Sequence, residues 1–157
     1  MIRPAVRADV PAIVGLVREL ATYERAADEV ALTDALLTDA LFSPHPAAFC
    51  HVADVDGTVV GMALWFVNFS TWVGRQGIYL EDLFVTPEHR RSGHGRALLA
   101  ALAAVAVERG YGRLEWAVLD WNEPALEFYR SIGAVPMDEW TVHRVSGPAL
   151  AALAELP

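Results

Sequence analysis

Two stretches hold residue types that chemistry needs. One is Arg90-Arg91-Ser92-Gly93-His94-Gly95-Arg96, three arginines around two glycines, between an apolar run and an alanine-rich one. Glycines let an anion approach the backbone closely, and the first turn of a helix offers unpaired N–H groups with partial positive charge. Guanidinium groups add charge-assisted hydrogen bonds. Together these features suit a pyrophosphate. The other stretch is Glu81-Asp82, two carboxylates between Ile78-Tyr79-Leu80 and Leu83-Phe84-Val85. Charges inside an apolar strand are costly unless paired or solvated. Strand alternation sends the two side chains to opposite faces unless a bulge intervenes. They either pair with arginines to hold a sheet or handle a proton and a cation.

Absences narrow the chemistry further. All 12 basic residues are arginine, so neither a P-loop nor a Schiff-base enzyme can be built. A dinucleotide fingerprint needs a third glycine where Leu98 stands. What remains is Arg-x-x-Gly-x-Gly after a strand. The five histidines, at 45, 51, 89, 94 and 143, show no metal-ligand spacing. Cys50 is the only cysteine, which excludes an internal disulfide. It neighbours His51, but adjacent strand residues face opposite ways, so a buried structural cysteine is expected.

The elements that must position these groups follow from periodicity and turn chemistry. Ile2–Val6 reads as a strand. Asp9 can cap a helix with Pro11 near its start and Ile13, Leu16, Val17 and Leu20 at helical spacing. Thr33 or Asp34 opens a second helix through Leu36, Leu37 and Leu41. Phe49–Asp54 and Val59–Val67 read as strands joined by an Asp56-Gly57 hairpin turn. Ile78–Val85 is a strand that Thr86-Pro87 ends. A helix runs from about Gly93 to Arg109, and Arg113–Leu119 is a strand. Asn122–Ile132 is a helix with Pro124 in its first turn and Gly133 just past its end. Ala134–Met137 and Thr141–Val145 read as strands, and Gly147–Leu156 as a short helix. Hairpins mixed with crossovers imply an α/β (α+β) domain whose sheet is mixed and flanked by helices.

The chain has 157 residues, 54% apolar and 20% charged, with a formal charge of −8. That length suits a single domain over 1–157. The acidic balance argues against general nucleic-acid binding and permits a cationic substrate. No run reaches the length of a membrane span, and MIRPAVRADVP lacks a signal-peptide core, so a cytoplasmic location is expected.

The chain resembles the GNAT N-acetyltransferase superfamily over nearly its whole length. Within it, the similarity is to the diamine and thialysine (spermidine/spermine-type) N-acetyltransferases. The residues carrying it are Arg18-Glu19-Leu20-Ala21 with Tyr23-Glu24, Ser70-Thr71-Trp72-x-Gly74-Arg75, and Ile78-Tyr79-Leu80-Glu81-Asp82. Ala117-Val118-Leu119-Asp120-Trp121-Asn122, Phe128-Tyr129 and Gly133-Ala134 complete it.

The resemblance implies a GNAT fold with a mostly antiparallel sheet, and acetyl-CoA as co-substrate. Backbone groups of Leu83, Phe84 and Val85 would pair with the pantetheine arm. Arg90, Arg91, Gly93, Gly95 and Arg96, with the amides of Ser92 and His94, would hold the pyrophosphate. Asn122 and Pro124 would contact the cofactor where strands splay. Glu81 would act as base on a bulged strand, Asp82 would contact the substrate, and Tyr129 would donate a proton to the departing thiolate. Each has a plainer alternative: arginine pairing for the carboxylates, ordinary packing for the tyrosine. Tyr23, Glu24, Glu29, Trp72, Asp82 and Trp140 could line a cationic site. Ser70-Thr71 stand where polyamine enzymes of similar sequence carry an acidic residue, which favours shorter, amino-acid-like amines. A homodimer is expected by resemblance alone. A protein lysine or N-terminal amine as acceptor, or acetyl-CoA binding without turnover, are the alternatives. Glu81 and Tyr129 argue against the last, since a binding module needs neither.

Overall fold

The computed structural model describes residues 1–156. Two compact units divide the chain after Ala117. In the first, β1 (Ile2–Pro4), β2 (Phe49–Val55), β3 (Thr58–Ser70), β4 (Arg75–Val85) and β5 (Leu114–Trp116) form one sheet in sequence order. Three pairings are antiparallel and β4–β5 is parallel, as expected for a mixed, mostly antiparallel sheet. Helices α1 (Val10–Tyr23), α2 (Asp34–Phe42) and α3 (His94–Glu108) complete this unit.

Alternation along β2 and β3 explains the two layers. Cys50 and Val52 join Met62 and Phe84 in a core with Val10, Ile13, Val14 and Leu16 of α1 and Leu37 and Leu41 of α2. Phe49 and His51 point the other way, beside Trp65. There α3 packs on the sheet and buries Leu98, Leu99, Leu102 and Ala106 at helical spacing. The hairpin between β2 and β3 turns at Asp56 and Gly57, with φ of 50° and 83°. That double left-handed geometry explains the Asp-Gly pair. Thr33 caps α2, its Oγ1 accepting from the Leu36 amide.

Several expected elements are corrected. Asp9 does not cap α1. Its carboxylate accepts two hydrogen bonds from Arg3, at 2.7 and 2.9 Å, and one from the Val6 amide. Arg3 also reaches Asp54 at 2.9 Å, tying β1, the start of α1 and the β2 turn together. The guanidinium holds the Asp9 carboxyl below the usual carboxylate range. The first strand ends at Pro4, where the backbone loses its donor. The strand expected over Arg113–Leu119 shortens to Leu114–Trp116. Its pairing with β4 ends at Leu80, immediately before a bulge.

The second unit begins at Val118. It holds α4 (Glu123–Ser131) and α5 (Gly147–Ala154). Asn122 sits at the start of α4 with Pro124 in the first turn, and Arg130 pairs with Glu123 at 2.7 Å. Gly133 follows the helix at φ 85°. The strands expected at 134–137 and 141–145 do not form. Val135, Met137, Val142 and Val145, the large apolar residues of these segments, are all exposed. No described strand pairs with either segment, and Pro136 could not donate to a ladder.

No helix among the described residues is long and apolar enough to cross a membrane.

Candidate active site

The chemistry-bearing end of β4 is shaped by one extra residue. In the β3–β4 ladder, Trp65 faces Leu80 and Leu64 faces Asp82. Glu81 therefore has no partner on β3: the strand bulges there, which re-aims its side chain. Glu81 is exposed and Asp82 half-buried. Burial, then repulsion from Glu81 and Glu24, pushes the Asp82 carboxyl up to about 6. Glu24 ends α1, and its own carboxyl is raised by burial. Three carboxylates from two elements thus form one negative region. Among the described residues none of the three takes part in a short ion pair, so arginine pairing does not account for Glu81 or Asp82.

Beyond the bulge, Leu83, Phe84 and Val85 pair with Ala63, Met62 and Gly61 of β3. On the other side of β4, β5 pairs only as far as Leu80. Gly61 cannot carry a side chain: a Cβ there would meet the Phe84 carbonyl oxygen at 2.9 Å.

The arginine–glycine loop follows. A short turn at Pro87–His89, in which Thr86 Oγ1 meets His89 Nδ1 at 2.9 Å, leads into it. Gly93 stands at the start of α3 with φ 83°, and Arg91 is also left-handed at φ 62°. The first turn of α3 carries no acidic residue. A Cβ at Gly93 or Gly95 would meet nothing within 4 Å, so open space fronts these amides. Space, N–H groups, Arg91 and Arg96 all fit an anionic ligand. Ser92 is exposed and His94 half-buried, its ring 6.4 Å from that of His89.

Arg90 differs from its neighbours. Its guanidinium lies 5.0 Å over the Tyr23 ring and 5.3 Å over the Phe84 ring, while its Nε donates to the Val85 carbonyl at 3.0 Å. It clamps the end of α1 to the end of β4 rather than lying along the loop. The three residues wall a cleft of about 290 Å³ completed by Glu19, Thr22 and Pro87. Sequence reading missed these three; the spacing of Glu19, Thr22 and Tyr23 on one helix face was the available signal.

The structure does not gather every expected substrate contact. Trp72 lies in the turn between β3 and β4, 86% exposed. Arg75, at the near end of β4, is six residues from Glu81, or roughly 20 Å along a strand. Glu29 lies in a separate short turn after α1. In the second unit, Tyr129 sits on α4, half-buried, its ring 5.4 Å from Phe128. Asn122 and Pro124 begin the same helix. Trp140 lies in the irregular segment that follows, largely exposed.

Cys50 is buried, and burial pushes its thiol up to about 12, which makes it a poor nucleophile. Among the described residues no group of histidine, cysteine or carboxylate side chains could hold a metal.

The chain is similar to known proteins in sequence and in fold. A model of the Acetyltransferase (GNAT) family matches residues 14–134. A thialysine N-epsilon-acetyltransferase from Bos taurus is 38% identical, covering 98% of this chain and 96% of its own. An L-ornithine N5-acetyltransferase from Arabidopsis thaliana is 32% identical over 99% of this chain and 88% of its own. Among solved structures, an integron cassette protein from the mobile metagenome of V. cholerae superposes with a TM-score of 0.82 at 29% identity, covering 99% and 98% of the two chains.

Proposed function

The chain belongs to the GNAT acetyltransferase family, and we propose that it moves an acetyl group from acetyl-CoA to the primary amine of a small cationic substrate. The acceptor we favour is a thialysine- or lysine-like amino acid or a diamine. One observation carries this reading: a bulge turns Glu81 out of β4 beside Asp82 and Glu24, while the same strand leads into an anion-fitting helix start. Cation-attracting and pyrophosphate-fitting groups thus lie at successive positions along one strand and loop. Relatives named for thialysine and ornithine acetylation support the acceptor class.

The physical problem is the proton. A lysine-like amine has a pKa near 10.4, so about one molecule in a few thousand is neutral at pH 7. The carboxylates attract the ammonium form, and the cation in turn favours ionised Asp82. Glu81, directly or through a water, takes the amine proton. The amine nitrogen then attacks the thioester carbon, the C–S bond breaks, the departing thiolate takes a proton from Tyr129, and the second proton, lost from the acetylated nitrogen, restores Tyr129 through solvent. Donors along Leu83–Val85 and the start of α3 hold the co-substrate, with Arg91 and Arg96 on its pyrophosphate and Asn122 and Pro124 as further contacts. Arg90 holds Tyr23 and Phe84 in place. Trp72 stands too far along β4 to serve its own chain's carboxylates, so a role at an acceptor site requires a second copy of the chain, as a homodimer provides.

Initial-rate kinetics test the direct transfer. With acetyl-CoA and amine both varied, a ternary complex gives intersecting lines, and Tyr129→Phe lowers kcat by about 10²–10⁴. Parallel lines together with an undiminished Tyr129→Phe enzyme would sink the proposal.

A further inference from the structure

A second cleft opens where the edge of the sheet passes between α2 and α3. It measures about 280 Å³ and is lined by Pro4, Ala5, Leu41, Phe42, Phe49, Cys50, His51, Trp65, Val105 and Arg109. Neither Glu81, Asp82 nor the glycine loop contributes to it. Its walls are aromatic and aliphatic, and no carboxylate lines it.

The polar groups there are all donors. Trp65 stacks on Phe49 at 4.6 Å and gives its indole N–H to His51 Nδ1 at 3.2 Å. An indole nitrogen only donates, so His51 Nδ1 accepts, and the proton of the neutral imidazole sits on Nε2. That Nε2 has no hydrogen-bond partner among the described residues. Burial, then the nearby Arg109 charge, lowers the His51 pKa, which keeps the imidazole neutral, while the indole contact fixes its tautomer. Arg109 lies 5.9 Å from the Phe49 ring and 5.8 Å from the Trp65 ring, with no carboxylate in salt-bridge range among the described residues.

Arg109 follows α3, where the helix dipole favours a cation. That explains a cation at this position but not its stacking over the cleft. The last helix carbonyls are also covered: Val105, Ala106 and Val107 accept from the amides of Arg109, Tyr111 and Gly110. The helix end therefore offers a guanidinium in place of bare carbonyls. A second arginine, Arg7, lies 5.3 Å over the ring of Phe42, another wall residue. In a chain of charge −8, an apolar cleft lined by one arginine, one donor imidazole and no acid, with a second arginine beside its Phe42 wall, stands apart.

We propose that this cleft binds a small carboxylate with a flat or short apolar body. The body lies against Phe49, Trp65 and Phe42, and the carboxylate accepts from Arg109 and His51 Nε2–H. The site is separate from the acetyl-transfer site and does not depend on that assignment.

Benzoate and hexanoate are suitable probes, with acetate and benzylamine as controls. Each is titrated into the full chain while the indole N–H resonance of Trp65, assigned with Trp65→Phe, is followed by NMR. Benzoate and hexanoate should shift this resonance saturably, with acetate at least about tenfold weaker for lack of an apolar body. Benzylamine should leave it unmoved. Arg109→Gln should weaken benzoate by about tenfold or more, as expected for one charge-assisted contact, while Arg109→Lys keeps part of the affinity. Circular dichroism verifies that both variants fold. No saturable shift up to about 50 mM, well above any affinity of functional interest, would overturn the proposal. So would benzylamine binding as well as benzoate, or a folded Arg109→Gln that binds benzoate unchanged.

Discussion

The two clefts of the first unit are built alike and charged oppositely. Each measures close to 300 Å³, about 290 and 280, and each has an arginine stacked on two aromatic rings: Arg90 on Tyr23 and Phe84, Arg109 on Phe49 and Trp65. Around the first, Glu19 lines the wall while, nearby, Glu81 and Glu24 add to the burial that raises the proton affinity of Asp82. No carboxylate lines the second. A stacked guanidinium therefore does not define a site's preference by itself. At Arg90 one donor is spent inside the protein, on the Val85 carbonyl, and the neighbouring carboxylates set the sign. At Arg109 no carboxylate takes the charge.

The sharpest way to break the contrast is to remove its central carboxylate. Glu81→Gln should lower kcat/KM for a cationic amine by about 10²–10⁴, the usual range for a general base. It should leave acetyl-CoA binding and the Trp65 resonance unchanged. Equal turnover in steady-state assays would remove Glu81 from the chemistry.

The glycine loop is next. Gly93→Ala forces a side chain onto φ 83°, a strain of roughly 1–2 kcal/mol, and should raise the acetyl-CoA KM about tenfold. Amine affinity, read by equilibrium titration, should move little.

Asp82 sharpens the contrast through pH. Its folded pKa is raised to about 6, so it protonates as pH falls through 6. Affinity for a cationic amine should therefore fall through that value, and Asp82→Asn should abolish this inflection. Stability runs the opposite way. A carboxyl raised in the folded state costs stability while ionised, and the cost is relieved as pH drops from about 6 towards its unfolded value near 4. Asp82→Asn should accordingly raise the melting temperature at pH 8, measured by calorimetry.

The smallest effect concerns the clamp. Arg90→Lys keeps the charge and loses the planar stack, and should cost about 1 kcal/mol in denaturant unfolding. A modest rise in amine KM should accompany it, because Tyr23 loses its partner.

Local chemistry was the legible part of the sequence. Strand alternation, the Asp56-Gly57 turn and the extent of α3 read directly, because they are fixed by period or by two adjacent residues. The arginine–glycine loop was visible as a candidate anion site for the same reason. The direction of Arg90 was not, because Tyr23 and Phe84 approach it from α1 and β4. His51, Trp65 and Arg109 escaped notice too: they come from three elements and meet only when β2 and β3 pair and α3 packs across them. The bulge at Glu81 came from the resemblance, and the ladder now shows it. The strands expected after Gly133 failed for another reason. Apolar residues such as Val135, Met137, Val142 and Val145 suit a strand, but a strand also needs a ladder partner, and no described strand supplies one.

The most direct measurement is acetyl-CoA-dependent CoA release with thialysine, lysine, ornithine, putrescine, spermidine and a short lysine peptide as acceptors. Wild type and Glu81→Gln are assayed side by side. Turnover should concentrate on one of the short amino-acid-like amines and collapse in the variant. Release of CoA with the peptide alone, or with no amine at all, would contradict a carboxylate-ringed site for small cations.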